Sequence, residues 1–105
     1  MGPAIKPNES LTLTEADLQS VVVDLASWRG WKSYHTYDSR RSNSGFPDLA
    51  LWRDHRLIFA ELKSEKGKLR PEQEAVLDGL MLTPAEVYVW RPKDWFDATI
   101  DGILA

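Results

Sequence analysis

The chain contains no cysteine, which removes disulfide staples, thiolate zinc sites and a cysteine nucleophile from consideration. It also has no apolar run near the roughly 20 residues needed to cross a bilayer, so a membrane partner is not expected. The opening MGPAIKPNES lacks the apolar stretch of a secretory signal. It reads as a flexible tail over 1–10, ahead of one folded domain over 11–105. These absences fit a cytoplasmic protein. Internal repeats and low-complexity segments are missing as well. So is an overall excess of positive charge, the net value being −3.

What is there is unevenly placed. Between Arg29 and Arg70 ten Lys or Arg face five Asp or Glu, whereas from Pro71 onward two basic residues face seven acidic ones. A basic centre of this kind can hold phosphate even when the total is acidic. Five tryptophans (28, 31, 52, 90 and 95) supply large apolar bodies for a small core, with an intersubunit contact as the alternative use.

The elements follow from periodicity. Leu18, Val21, Val22, Leu25 and then Trp28 or Arg29 recur at helical spacing, predicting a helix over about 13–29. Thr12 and Glu15 fit a capping box at its start, and Gly30 sits at its stop. Residues 31–37 read as a first strand, and 38–45 as a polar loop. A second strand (48–52) and a third (57–63) flank the turn Arg53-Asp54-His55-Arg56, giving a hairpin. Pro71 opens a second helix whose apolar face is Val76, Leu77, Leu80 and Met81. A fourth strand over 86–91 and one terminal helix over 94–104 complete the order α-β-β-β-α-β-α. Three strands, a crossover helix and a further strand predict an α/β fold, a mixed sheet with helices on both faces.

Three residues carry chemistry. Asp48 opens the second strand after Pro47, and Glu61 and Lys63 close the third. Taken alone, Asp48 could be an ordinary turn residue, and Glu61 with Lys63 an exposed ion pair. Residues two apart on a strand share a face, however, and antiparallel pairing sets the start of one strand beside the end of the next. Two carboxylates and an ammonium should therefore converge at one end of the hairpin. Hard oxygen ligands suit Mg²⁺, or Mn²⁺ in its place, and not zinc. A nearby lysine can orient water or stabilise phosphate charge, so the set suits phosphodiester hydrolysis. Glu15, near the buried side of the first helix, is a candidate third ligand, with a capping role as the alternative. Gln73, in the first turn of the second helix, is a candidate for holding the catalytic groups. Arg40, Arg41 and Ser44 before Asp48, and Lys66, Lys68 and Arg70 after Lys63, are candidate contacts to a phosphate backbone.

The segments Gly45-Phe46-Pro47-Asp48 and Glu61-Leu62-Lys63 resemble the PD-(D/E)XK nuclease motif. The fuller run GFPDLALWRDHRLIFAELKSEKGKLRPEQ resembles the VRR-NUC family, in particular its stand-alone phage and prophage members, over about Thr12 to Trp95. The resemblance implies a restriction-endonuclease-like αβββαβ core. It implies metal binding by Asp48, Glu61 and the Leu62 carbonyl, catalysis by Lys63, and roles for Glu15 and Gln73. It further implies a Mg²⁺-dependent DNA endonuclease acting as a homodimer on branched DNA such as Holliday junctions, within a bacterial host cytoplasm if phage-encoded. The alternatives are a nicking or restriction-type nuclease with another DNA preference and a catalytically idle DNA-binding module.

Overall fold

A computed structural model describes residues 13–36 and 45–105. The polar-loop residues 38–44 and the tail 1–10 lie outside this range. The elements are α1 (Glu15–Trp28), β1 (Lys32–His35), β2 (Leu49–Arg53), β3 (Arg56–Leu62), α2 (Pro71–Met81), β4 (Glu86–Trp90), α3 (Pro92–Phe96) and α4 (Thr99–Leu104). The strands form one mixed sheet in the order β1-β2-β3-β4, antiparallel except for the β3–β4 pair. The expected order holds through β4, and helices do lie on both faces.

Strand parity fixes which side of each strand meets the core. Leu49 and Leu51 of β2 pair with Ala60 and Ile58 of β3, and Leu62 pairs with Trp90 of β4. These residues are fully or almost fully buried, and Leu18, Val22, Ala26, Ile100 and Leu104 cover them from α1 and α4. Residues 57, 59 and 61 point to the opposite face, over which α2 lays its two buried side chains, Gln73 and Leu77.

Helix α1 begins two residues later than the Thr12–Glu15 box implied. Thr14 is the N-cap: its Oγ1 accepts from the Asp17 N–H at 3.0 Å, and Asp17 Oδ2 accepts from the Thr14 N–H at 3.2 Å. The same Thr-x-x-acid spacing occurs twice in a row, and the second copy is the one used. The helix ends where Gly30 requires it. Gly30 takes φ +85°, its N–H reaches the Ser27 carbonyl, and the Trp31 N–H reaches back to Ala26 at 2.9 Å, which is a Schellman closure. The buried stripe is Leu18, Val22 and Ala26, not Trp28, which is 89% exposed. On α2, Met81 is likewise exposed rather than part of the apolar face.

The single terminal helix expected over 94–104 is two short helices. Asp97 Oδ1 accepts from the Thr99 N–H, and Ala98 adopts φ +66°, turning the chain so that Ile100 and Leu104 enter the core. Three arginines counted in the basic centre hold this corner. Arg29 bonds the Asp101 carboxylate and carbonyl. Arg53 donates to the Arg29 and Ala105 carbonyls at 3.1 and 3.0 Å. Arg56 grips both Glu86 oxygens at 2.7 Å and the Ile103 carbonyl at 2.9 Å. The Arg53 and Arg56 guanidinium carbons lie 4.6 and 4.9 Å from the Trp31 ring centroid, at cation–π distance. Part of the basic centre is therefore structural.

Candidate active site

Asp48 is fixed by the turn that enters β2. Pro47 is buried and has no N–H to lose, and Thr36, just past β1, donates from its N–H to the Asp48 carbonyl at 3.0 Å and from Oγ1 to the Pro47 carbonyl at 3.2 Å. One step beyond the Leu49–Ala60 pair, Asp48 stands opposite Glu61. Its Oδ2 accepts from the Leu62 N–H at 2.8 Å, so a carboxylate oxygen takes the place of a ladder carbonyl in a charge-assisted bond.

Glu61 is only 2% exposed. Its Oε2 accepts from Gln73 Nε2 at 2.5 Å and lies 3.8 Å from Lys63 Nζ. Its Oε1 is buried and has no hydrogen-bond partner among the described residues. Burial first, and then hydrogen bonding and charge repulsion from Asp48, push the Glu61 carboxyl up to about 8, while Lys63 pulls it back. A buried acid beside a second carboxyl, with one oxygen unused, is a group short of positive charge. Two such carboxylates supply the hard oxygen donors that a magnesium-sized cation takes, so the residues present fit that ion.

Gln73 has two bonds with one purpose each. Its amide nitrogen holds Glu61, and its Oε1 accepts from the Arg70 N–H at 2.9 Å, closing the first turn of α2 behind Pro71. The opening of α2 is thereby tied to the carboxylate pair.

The structure brings Asp48, Glu61, Lys63 and Gln73 together, with the Leu62 backbone between them. It does not bring in Glu15, which is an exposed first-turn residue of α1. Among the described residues no group of three His, Cys, Asp or Glu gathers. Glu15 lies on the face of Leu18 and Val22 but in the first turn, before that face becomes buried at Leu18. Lys66 and Lys68 are exposed beside the site, and Arg70 is exposed with its Nε 3.3 Å from Glu72 Oε1. Arg40, Arg41 and Ser44 lie outside the described residues.

Two contributors were not singled out from the sequence. Gly45 is buried at φ +89°, and a Cβ there would collide with the Glu72 carbonyl and crowd the Gln73 nitrogen. A glycine before Phe-Pro-Asp was the available signal. Arg91 donates to the carbonyls of Ser64 and Gly67 at 2.7 and 2.6 Å, with a longer contact to Glu65. Only the parallel pairing of Leu62 with Trp90 reveals that residue 91 lies beside residue 63.

The model of the VRR-NUC domain family matches residues 4–94. A solved structure described as a VRR_NUC domain protein is similar in fold, with TM-score 0.62 and 21% identity over 88% of this chain and 86% of that one. Hjc, a Holliday junction resolvase from the archaeal hyperthermophile Archaeoglobus fulgidus, gives TM-score 0.49 and 19% identity over 70% of this chain and 64% of that one. No curated protein matches the sequence.

Proposed function

Since the chain belongs to the VRR-NUC domain family, a nuclease family, we propose that it is a divalent-metal-dependent DNA endonuclease of the PD-(D/E)XK type. The observation that carries this reading is the meeting of Asp48 and Glu61 beside Lys63, with a buried Glu61 oxygen left unbonded. Asp48, Glu61 and the Leu62 carbonyl would hold Mg²⁺ or Mn²⁺. When bound, such a cation polarises a phosphoryl oxygen and acidifies coordinated water. Gln73 keeps the Glu61 carboxylate from rotating. Lys63 brings an ammonium to the side of the site where phosphate charge accumulates. Lys66, Lys68 and Arg70 would meet the DNA backbone, and Arg40 and Arg41, with Ser44 as a neutral donor, are proposed as further contacts to it.

The substrate class proposed is branched DNA, on the strength of the sequence resemblance to stand-alone phage-type members. A homodimer goes with it, because symmetric cleavage of a four-way junction needs two sites. The setting proposed is the cytoplasm. Among the described residues no helix is long and apolar enough to cross a membrane.

The test is incubation with Mg²⁺ or Mn²⁺ on four-way junctions, flaps, duplex and single strands, with the mass measured by gel filtration. Cutting of junctions by a dimer is the expected result, and no cutting of any substrate would reject the nuclease reading in favour of a binding module. Lys63→Ala should bind DNA and fail to cut it. Lys68→Ala should weaken binding and lower the salt slope by about one unit, and an unchanged slope would remove Lys68 from the interface. Metal binding is checked without activity by calorimetric titration of Mg²⁺ into Asp48→Asn, which should lose the heat seen with the unaltered chain.

A further inference from the structure

Arg91 follows the last residue of β4 and precedes Pro92, which opens α3. Strands β3 and β4 are parallel, so their carboxyl ends lie together, and the Lys63 N–H donates to the Trp90 carbonyl at 3.0 Å. Residue 91 is thus placed beside the chain as it leaves Lys63. Its guanidinium does not reach a carboxylate: among the described residues it makes no salt bridge. It donates instead to backbone carbonyls of the segment 64–67, with Nη1 2.7 Å from Ser64 O, 2.6 Å from Gly67 O and 3.4 Å from Glu65 O.

Further bonds close the same arrangement. The Gly67 N–H reaches the Ser64 carbonyl at 3.2 Å. Glu65 Oε2 accepts from the Lys93 N–H at 3.1 Å, and Asp94 Oδ2 accepts from the Arg91 N–H at 2.8 Å. The turn after Lys63 is therefore wrapped round one cation that α3 holds in place. That turn also walls the lysine. A Cβ built on Gly67 would lie 3.7 Å from Lys63 Cδ, and the Lys63 side chain is only 12% exposed.

We propose that Arg91 is a positioning residue for Lys63: by collecting the Ser64 and Gly67 carbonyls it fixes the turn against which the lysine stem rests. The proposal rests on the nuclease reading and adds to it a residue from outside the Asp48–Lys63 segment. The contacts converge on one nitrogen, Nη1, whose direction the rigid guanidinium plane fixes, whereas an ammonium on a flexible stem is less firmly aimed.

The experiment is single-turnover cleavage of a junction the unaltered protein cuts, with Arg91→Ala and Arg91→Lys, alongside DNA affinity measured without divalent ion. The rate constant should fall by about 10²-fold in Arg91→Ala, the scale of a small misplacement at a reacting centre. DNA affinity should stay within about twofold, since the protein–phosphate contacts are untouched. Arg91→Lys should recover part of the rate. A role in folding alone would instead lower the amplitude and leave the rate constant of the folded fraction unchanged, and that result overturns the proposal. If Arg91→Ala does not fold, the rate constant of Arg91→Lys decides: a value equal to that of the unaltered chain rejects the assignment. An unaltered chain that cuts no DNA defeats the nuclease reading itself, a result distinct from cutting that ignores Arg91.

Discussion

At the scale of single residues, the most informative group is Glu61. Burial and then Asp48 push its carboxyl up to about 8 in the folded chain, from an ordinary value of 4.5. Between those values the native state keeps a proton that the unfolded state has lost. Its contribution to stability is therefore full below 4.5 and disappears as pH rises through 8. Urea midpoints measured with chelator should fall across that window and level off in Glu61→Gln; parallel curves for the two proteins would contradict the assignment. For the same reason, Mg²⁺ binding near neutral pH should release about one proton to the buffer. Gly45→Ala should destabilise by about 2 kcal/mol or more, since a left-handed backbone alone costs an L-residue roughly 1–2 kcal/mol and the Glu72 carbonyl blocks the new methyl. Asp48, Glu61 and Lys63 were legible in the sequence because strand parity and hairpin pairing are rigid rules. Glu15 does share the face of Leu18 and Val22, as its spacing implied, but it stands in the first turn of α1, ahead of the point where that face becomes buried.

At the scale of elements, types were more legible than ends. The apolar run Leu57–Ala60 and the Gly30 stop left little freedom, and β3 and α1 lie close to where they were expected. The break at Ala98 gave no local warning: no proline or glycine marks it, and tertiary contacts impose it by drawing Ile100 and Leu104 inward and Asp101 toward Arg29. Ala98 bears that geometry at φ +66°. Ala98→Gly should therefore raise stability by about 1 kcal/mol, read as a higher urea midpoint. A midpoint at or below that of the unaltered chain would mean that the junction is relaxed despite its dihedral.

At the scale of the whole molecule, charge is polarised along the chain, and part of the basic centre is occupied within the fold. Arg29, Arg53 and Arg56 spend their donors on Asp101, Glu86 and the carbonyls of the last residues, which no linear charge count separates from phosphate contacts. The division of labour has a measurable side. Leu104 is fully buried in the core, on the sheet face away from Glu61. Leu104→Ala should cost about 2–5 kcal/mol, the usual toll of emptying a buried leucine. The cleavage rate constant of molecules that remain folded should not change, and a parallel loss of both would show that the two faces are mechanically linked.

Strand β3 serves two masters by turns: Ile58, Ala60 and Leu62 are oil, and Glu61 between them faces the candidate site. Sliding the strand by a single place would swap them, carrying Glu61 into the hydrophobic interior and Leu62 out to the side of Gln73. Correct assembly and the meeting of Glu61 with Asp48 thus depend on the same alignment. A misthreaded copy of this enzyme is disarmed by the very error that misfolds it.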